Sequence, residues 1–141
     1  MLEVVTIQTP ALGDRSYLIH DGTEAIVVDP QRDIGRILAV AQARRVRITH
    51  VLETHIHNDY VTGGLALAGQ TAASYVVAAS EEVSFDRLAV RDNDQIISGS
   101  LTVTAMHTPG HFSYILNETG GGPVAVFTGG SCCTAPSGVP T

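Results

Sequence analysis

Residues 48–60 read Ile-Thr-His-Val-Leu-Glu-Thr-His-Ile-His-Asn-Asp-Tyr, a short stretch with apolar ends that is followed by a polar cluster. The run Ile48–Leu52 predicts a buried strand. His55, His57 and Asp59 follow it directly. Side chains two residues apart in an extended segment can point the same way, so two imidazoles and a carboxylate can converge there. This donor set suits zinc or iron, although polar residues that cap helix ends from a loop would give the same pattern.

A second polar cluster, His107-Thr108-Pro109-Gly110-His111, also follows a predicted strand. Functional residues of layered α/β folds often lie at such strand ends. A second source of imidazole therefore favours a metal site over a polar loop. His107 is interpreted first as a polar strand-end residue and second as a partner of a ligand. His20 and His50 lie away from both clusters and are expected to be structural.

The remaining sequence alternates strands with short helices. Apolar residues at helical spacing predict a helix that starts at Ile34 and extends toward Val46, and Leu65–Ala68 predicts a second, short helix. Asp21-Gly22 is a hairpin turn signal. The further predicted strands lie around Val4–Ile7, Ser16–His20, Ala25–Val28, Ser74–Ala78, Gln95–Ile97, Leu101–Ala105, Ser113–Leu116 and Val124–Phe127.

Composition excludes several classes of protein. The chain has 141 residues, the length of one domain, and an apolar fraction of 44%, too high for disorder. A net charge of −6 argues against nucleic acid and anionic membranes as partners. Two adjacent cysteines, Cys132 and Cys133, give no disulfide framework, and no signal peptide is recognised, so a cytoplasmic location is expected.

The two clusters together resemble the paired motifs of the metallo-β-lactamase superfamily. Residues 54–60 resemble its His-x-His-x-Asp-His motif, and residues 108–111 resemble its downstream Thr-Pro-Gly-His motif. Residues 27–33, 84–86 and 126–130 resemble the persulfide dioxygenase-like branch, which includes proteins fused to rhodanese domains. The resemblance implies an α/β (α+β) fold, an αββα sandwich with helices outside two facing sheets. This chain would supply its N-terminal half, with the first sheet and only the beginning of the second.

The resemblance also implies a set of ligands. His55, His57 and His111 would hold a first divalent metal, Zn(II) or Fe(II). Asp59 would belong to a second metal site or act catalytically by orienting the water of the first. In the dioxygenase branch, His55 and His111 would instead join a downstream Asp around one iron. Asp29 would support the metal loop from behind; a turn-initiating role is the equal alternative.

Three positions depart from the family pattern. Tyr60 stands where most relatives have His, which removes one nitrogen of a second metal site. Gly130 stands where a carboxylate is expected, and glycine cannot ligate. His111 is followed at once by residues 112–114, without the extra residues that relatives often carry. These departures predict at most one metal, weakly held.

The sequence after Ser131 differs from the branch that it resembles. Those relatives usually continue with Ser-Leu-Leu-Tyr-Gly-Ala-Val-Gly-Arg-Thr-Asp. Deleting one base after the first serine codon of a suitable coding sequence yields Ser-Cys-Cys-Thr-Ala-Pro-Ser-Gly-Val-Pro-Thr, which is residues 131–141. We therefore expect a metallo-β-lactamase-like domain over residues 1–131 and a frameshifted tail over residues 132–141, exposed and without a ladder of hydrogen bonds.

Three functional hypotheses follow from the resemblance. The first is a truncated persulfide dioxygenase-like protein whose partner is a small-molecule thiol or persulfide. The second is a zinc thioester hydrolase of the glyoxalase II type. The third is a metal-binding or inert fragment without turnover, motivated by Tyr60, Gly130 and the tail.

Overall fold

The structure, a computed structural model, describes residues 3–9, 14–30, 34–53, 63–78, 88–108, 111–118, 123–128 and 131–134. Within these ranges the chain forms two sheets and two helices. The first sheet has six strands, in the spatial order β1 (Glu3–Thr9), β2 (Asp14–His20), β3 (Glu24–Val28), β4 (Arg47–Leu52), β5 (Ser74–Ala78) and β6 (Leu88–Val90). The second has five, in the order β11 (Ser131–Thr134), β10 (Pro123–Thr128), β9 (His111–Glu118), β8 (Leu101–Thr108) and β7 (Gln95–Ser98).

In the first sheet, the pairing of neighbouring strands changes from antiparallel to parallel at β3. Strands β1, β2 and β3 pair antiparallel, whereas β3 through β6 pair parallel. The predicted turn at Asp21-Gly22 joins β2 to β3, and Gly22 adopts a φ of +96°, which glycine reaches at low cost. Residues 25–28 of β3 are all buried, as expected for an apolar strand that is covered on both faces.

Two helices follow the parallel strands, and both end in the same way. The first, α1 (Ile34–Arg44), lies between β3 and β4 in the chain, and the second, α2 (Gly63–Thr71), lies between β4 and β5. After α1, Arg45 has a φ of 57° and Val46 donates its N–H to the carbonyl of Ala41 at 3.1 Å, which is a left-handed helix cap. The apolar spacing that predicted a helix toward Val46 therefore extends past the helix, since Val46 belongs to its cap.

The apolar side chains form two cores on either side of the first sheet. The first core lies between the helices and the sheet, and its buried members are Leu18, Ala25, Val27, Ile37, Ala41, Ile48, Val51, Leu67, Ala68 and Tyr75. The second lies between the two sheets and includes Tyr17, Ile19, Ile26, Val28, Leu52, Val76, Val90, Ile96, Leu101, Val103, Ala105, Tyr114, Leu116, Ala125 and Phe127. Helix, sheet and sheet thus form successive layers, as the predicted sandwich requires.

The second sheet extends further than the sequence predicted. The resemblance implied only the beginning of this sheet, and five antiparallel strands are present in the described residues. Two predicted hairpins supply four of these strands, β7–β8 and β9–β10. On the face of this sheet that points away from the core, Ile97 is 65% exposed and Met106 is 38% exposed.

The fifth strand corrects the expectation for the tail. Cys132 pairs with Phe127 and Cys133 with Val126 in an antiparallel ladder, so residues 132–134 do take part in a sheet. Ladder bonds join backbone groups, which every residue other than proline carries, and a change of side chains does not remove them. Residues 135–141 lie outside the described part of the chain.

Strand β6 was not predicted from the sequence, because three residues are too few to show a period. In the described part of the chain, no helix is both long enough and apolar enough to cross a membrane.

Candidate metal centre

Most of the predicted ligands belong to the segment between β4 and α2. His55, His57 and Asp59 lie outside the described residues, as do Tyr60 and Gly130. For His111 the backbone is described, as the first residue of β9. Among the described residues, no group of three His, Cys, Asp or Glu side chains is placed to hold a metal. Convergence of His55, His57, Asp59 and His111 therefore stays a prediction.

The structure does place the segments that flank the first motif. Strand β4 is central, with β3 and β5 parallel on its two sides. The carboxyl ends of these strands therefore meet at one edge of the sheet, the usual position of sites in such sheets. Asp29, just after β3, donates its N–H to the carbonyl of Leu52 at 2.8 Å, and Glu53, just after β4, donates to Val76 at 3.3 Å. His55 follows Glu53 by two residues.

The second motif reaches the same edge from the second sheet. Strand β8 ends at Thr108 and β9 begins at His111, and these two residues pair with each other. Three residues into β9, Tyr114 donates its hydroxyl to the backbone carbonyl of Glu53 at 2.9 Å, across 61 residues of sequence. Since a chain spans at most about 3.6 Å per residue, the Cα atom of His111 lies within about 11 Å of the Cα atom of Tyr114.

Glu53, at the edge of the first sheet where β4 ends, is a residue that the sequence analysis did not single out. It is 5% exposed, although it is a carboxylate. Its Oε2 accepts a hydrogen bond at 2.7 Å from the hydroxyl of Tyr75, which is also buried. A buried carboxylate is tolerated only with such partners. The available signal was an acidic residue directly after the buried, apolar end of a strand, Val51–Leu52, but the same pattern commonly marks a solvated loop.

Tyr114 is held in its protonated, donating form. Burial raises the pKa of its hydroxyl far above the usual value, and the negative charges of Asp29 and Glu53 and the nearby Tyr75 raise it further. A neutral phenol remains a hydrogen-bond donor, so the bond to the Glu53 carbonyl persists at all ordinary pH values.

Asp29 shows features of both roles that the sequence left open. It ends β3 with a φ of 51°, a backbone conformation that Asp tolerates better than most residues, and its carbonyl accepts the hydroxyl of Ser16 at 2.7 Å. These features fit a turn residue. Its charge also acts on the hydroxyl of Tyr114, which contacts Glu53 directly after β4.

His20 and His50 have structural surroundings, as predicted. His20 is 7% exposed; its Nδ1 accepts the Gly22 N–H at 3.1 Å, so its Nε2 donates to Glu3 Oε1 at 2.7 Å. His50 is half-buried, and burial lowers its pKa while the charge of Glu24 opposes that shift. His50 Nδ1 lies 2.9 Å from the hydroxyl of Thr49, toward the beginning of β4 and away from the motif.

A second polar contact between the sheets lies at the opposite end of the sandwich. In the turn between β2 and β3, Asp21 Oδ2 accepts the N–H of Ser100 at 2.8 Å and its hydroxyl at 2.9 Å, from the turn between β7 and β8. Its Oδ1 accepts the N–H groups of Thr23 and Glu24 at 2.9 and 2.8 Å. This end has no predicted ligand, so we interpret it as structural.

The donor set fits a divalent metal. Three imidazoles with one carboxylate match the ligands that zinc accepts, and two of the imidazoles come from one short segment. The Tyr114–Glu53 hydrogen bond supports this fit, because it brings the flank of His111 to the flank of His55.

Comparisons with known proteins agree with this architecture. A family model described as "Metallo-beta-lactamase superfamily" matches residues 11–129. A hydroxyacylglutathione hydrolase from Methylococcus capsulatus is 34% identical over 117 residues, which is 80% of this chain and 45% of that protein. A protein named "Hydroxyacylglutathione hydrolase cytoplasmic" from Arabidopsis thaliana is 35% identical over 92% of this chain and 53% of its own length. The chain therefore spans about half the length of the curated relatives it matches.

Solved structures show the same fold. A metallo-β-lactamase from Staphylococcus aureus superposes with a TM-score of 0.81 at 28% identity, over 90% of this chain and 42% of that chain. ETHE1 from Myxococcus xanthus superposes with a TM-score of 0.71 at 27% identity, over 81% of this chain and 53% of that one.

Proposed function

This chain belongs to the metallo-β-lactamase superfamily, and from that premise we propose that it is part of a zinc-dependent hydrolase of a small-molecule thioester such as an acylglutathione. One observation carries the proposal: curated relatives at 34–35% identity over 80–92% of the chain are named hydroxyacylglutathione hydrolases. The comparisons thus favour the thioester alternative over the persulfide reading that the motifs first indicated. A cytoplasmic location, as in the name of the plant relative, is part of the proposal.

The proposed centre uses His55, His57 and His111 as ligands of one metal, with Asp59 orienting water beside it. A zinc ion bound there would lower the pKa of its water to about 7 and so supply a hydroxide nucleophile. The chain's own contribution would be to fix these side chains at one edge of the sandwich. Glu53 and Tyr114 are the described residues that join the two segments concerned.

The test separates metal binding from turnover. The purified chain is loaded with Zn(II), its zinc content is measured, and loss of an acylglutathione thioester is followed by its ultraviolet absorbance. We expect one zinc per chain, weakly held, and no binding by a His55→Ala, His111→Ala double variant. A chain that binds zinc no better than this variant would contradict the proposal.

Persulfide oxidation is a second candidate, supported by the likeness to the persulfide dioxygenase-like branch and by the ETHE1 neighbour. The metal and the co-substrate distinguish this reaction from thioester hydrolysis. The Fe(II)-loaded chain would consume oxygen with glutathione persulfide, whereas the zinc-loaded chain would not. Zinc binding without any turnover would instead favour the third hypothesis, a non-catalytic metal-binding fragment.

We also propose the division into a domain over residues 1–131 and a tail of different origin over residues 132–141. The proposal is supported by the match of residues 131–141 to a one-base frame change. Resequencing the locus tests it, and a coding sequence in which no single base restores the family continuation would contradict it.

A further inference from the structure

We propose that Tyr114 and Tyr75 are positioning residues for the metal centre, because their hydroxyls fix Glu53 at the start of the segment that carries His55 and His57. This inference rests on the metal centre proposed above. Neither tyrosine would touch the metal or the substrate. Their effect would be to set the distance between the first motif and the strand that begins with His111.

The geometry requires such a tie, because the proposed ligands come from two separate sheets. His55 and His57 follow β4 of the first sheet, and His111 begins β9 of the second. Ligand distances to zinc are about 2.0–2.1 Å, so a small relative movement of the sheets would break coordination. The Tyr114 hydroxyl and the Glu53 carbonyl, 2.9 Å apart, join the two sheets directly before the first motif and three residues after the second.

Glu53 is held at three of its polar groups, which makes it a rigid starting point for the motif. Its N–H donates to Val76 at 3.3 Å, its carbonyl accepts Tyr114, and its carboxylate accepts Tyr75 at 2.7 Å. Tyr75 comes from β5 and packs in the core on the helix side, whereas Tyr114 comes from the core between the sheets. Glu53 is thus fixed from both sides of its own sheet.

A purely structural role would be the simpler alternative, and the protein contains its own control. The Asp21–Ser100 contact also joins the two sheets, with hydrogen bonds of 2.8 and 2.9 Å, but at the end without predicted ligands. If inter-sheet hydrogen bonds only stabilised the fold, loss of either contact would have the same consequence. A positioning role predicts that only the Tyr114 contact affects the metal.

The experiment measures zinc affinity of the full chain by competition with a chromophoric chelator. For Tyr114→Phe we expect the dissociation constant for zinc to rise about tenfold, at the lower end of the effect of groups that orient metal ligands. The Co(II)-loaded variant should also show a shifted visible absorption band, because coordination geometry changes. Ser100→Ala, like Tyr114→Phe, removes one hydroxyl donor between the sheets, and it leaves the backbone bond from Ser100 to Asp21 in place. For this control we expect the zinc affinity and the Co(II) spectrum of the unchanged protein, even where its thermal midpoint falls.

Each outcome decides between the alternatives. Zinc affinity and a Co(II) spectrum that are unchanged in Tyr114→Phe would overturn the inference while leaving the proposed function intact, as would equal losses in Tyr114→Phe and Ser100→Ala. If Tyr114→Phe does not fold, Tyr75→Phe replaces it, with an expected severalfold loss; unchanged affinity there would also overturn the inference. If the unchanged chain binds no zinc, the proposed metal centre itself fails and the inference fails with it.

Discussion

Asp21 should stabilise the sandwich through its charge, and an Asp21→Asn substitution tests this directly. The carboxylate accepts four hydrogen bonds, two at each oxygen, from Thr23, Glu24 and Ser100. Asparagine has the same shape but only one acceptor oxygen. Its amide NH₂ would therefore face two donors, on one side or the other, and one pair of hydrogen bonds would be lost.

The expected loss follows from the number and surroundings of these bonds. A hydrogen bond to a charged group contributes about 1.5–3 kcal/mol when it is well buried. Asp21 is only half-buried, and solvent screening lowers that contribution. For the two bonds lost we therefore expect the free energy of unfolding to fall by about 2 kcal/mol at pH 7, a shift in thermal midpoint of roughly 6–8 °C for a chain of this size.

The pH dependence gives the sharper test. Burial alone would raise the pKa of Asp21, but the N–H groups of Ser100, Glu24 and Thr23 and the Ser100 hydroxyl outweigh it and hold the pKa well below its usual value. The unfolded carboxyl titrates near its ordinary value of about 3.9. Stability from this charge is therefore present above that pH and declines as the pH falls toward the lower folded pKa. Asparagine does not titrate, so the difference in free energy of unfolding between the two proteins should become smaller in acid.

Urea unfolding of both proteins at pH 7, 5 and 3.5 measures this difference in free energy of unfolding. The contributions of the other titrating groups cancel, because both proteins contain them. Asp92→Asn makes the same chemical change at an exposed position and should alter stability by less than about 0.5 kcal/mol. A difference in free energy of unfolding that stays constant or grows as the pH falls would refute the reasoning.

Three further predictions concern other positions. Gly99→Ala should lower the free energy of unfolding by about 1–2 kcal/mol, measured by urea unfolding, because Gly99 has a φ of +59° and an added Cβ would collide with Asp21 Oδ2. Arg45→Gly should raise the free energy of unfolding by up to about 1 kcal/mol, because Arg45 occupies the left-handed cap of α1 with a φ of 57°. A lower thermal midpoint in this variant would contradict the cap assignment. Tyr60→His combined with Gly130→Asp should raise the number or affinity of bound metal ions, measured by elemental analysis; two tightly held ions in the unchanged chain would contradict the reasoning.

The sequence predicted most elements because burial leaves a simple pattern. The apolar run Ala25–Val28 and the hairpin signal at Asp21-Gly22 each produced the expected element. The helix predicted from Ile34 toward Val46 ends at Arg44, because apolar spacing does not distinguish the last turn of a helix from its cap. Strand β11 was missed because pairing depends on backbone groups and on a neighbouring edge, neither of which is visible in a stretch of Cys, Ser and Thr.

The sequence predicted the chemistry of the site but not its support. The imidazoles and the carboxylate of residues 55–59 left a metal site and a polar loop open, the second cluster at residues 107–111 favoured the metal, and that stays a prediction. Glu53, Tyr75 and Tyr114 gave no such signal, because their contacts join strands that are 22 and 61 residues apart in sequence. A contact of that kind depends on how two sheets face each other, which no local pattern records.

The arrangement of contacts between the sheets explains why the metal motifs are expected at one edge and not at the other. At the far end, Asp21 joins the turns β2–β3 and β7–β8 with a single side chain and so closes the sandwich. Near the carboxyl end of β4 the contact is made by the backbone carbonyl of Glu53 with Tyr114 of β9. Glu53 directly precedes the first motif and His111 begins β9, so each motif adjoins a segment that this contact anchors. A loop that starts from an anchored residue can place ligands reproducibly, whereas one that starts from a free strand end would first have to be ordered at a cost of about 1–2 kcal/mol per residue. The inter-sheet contact at Glu53 thus lowers the free-energy cost of assembling the proposed centre.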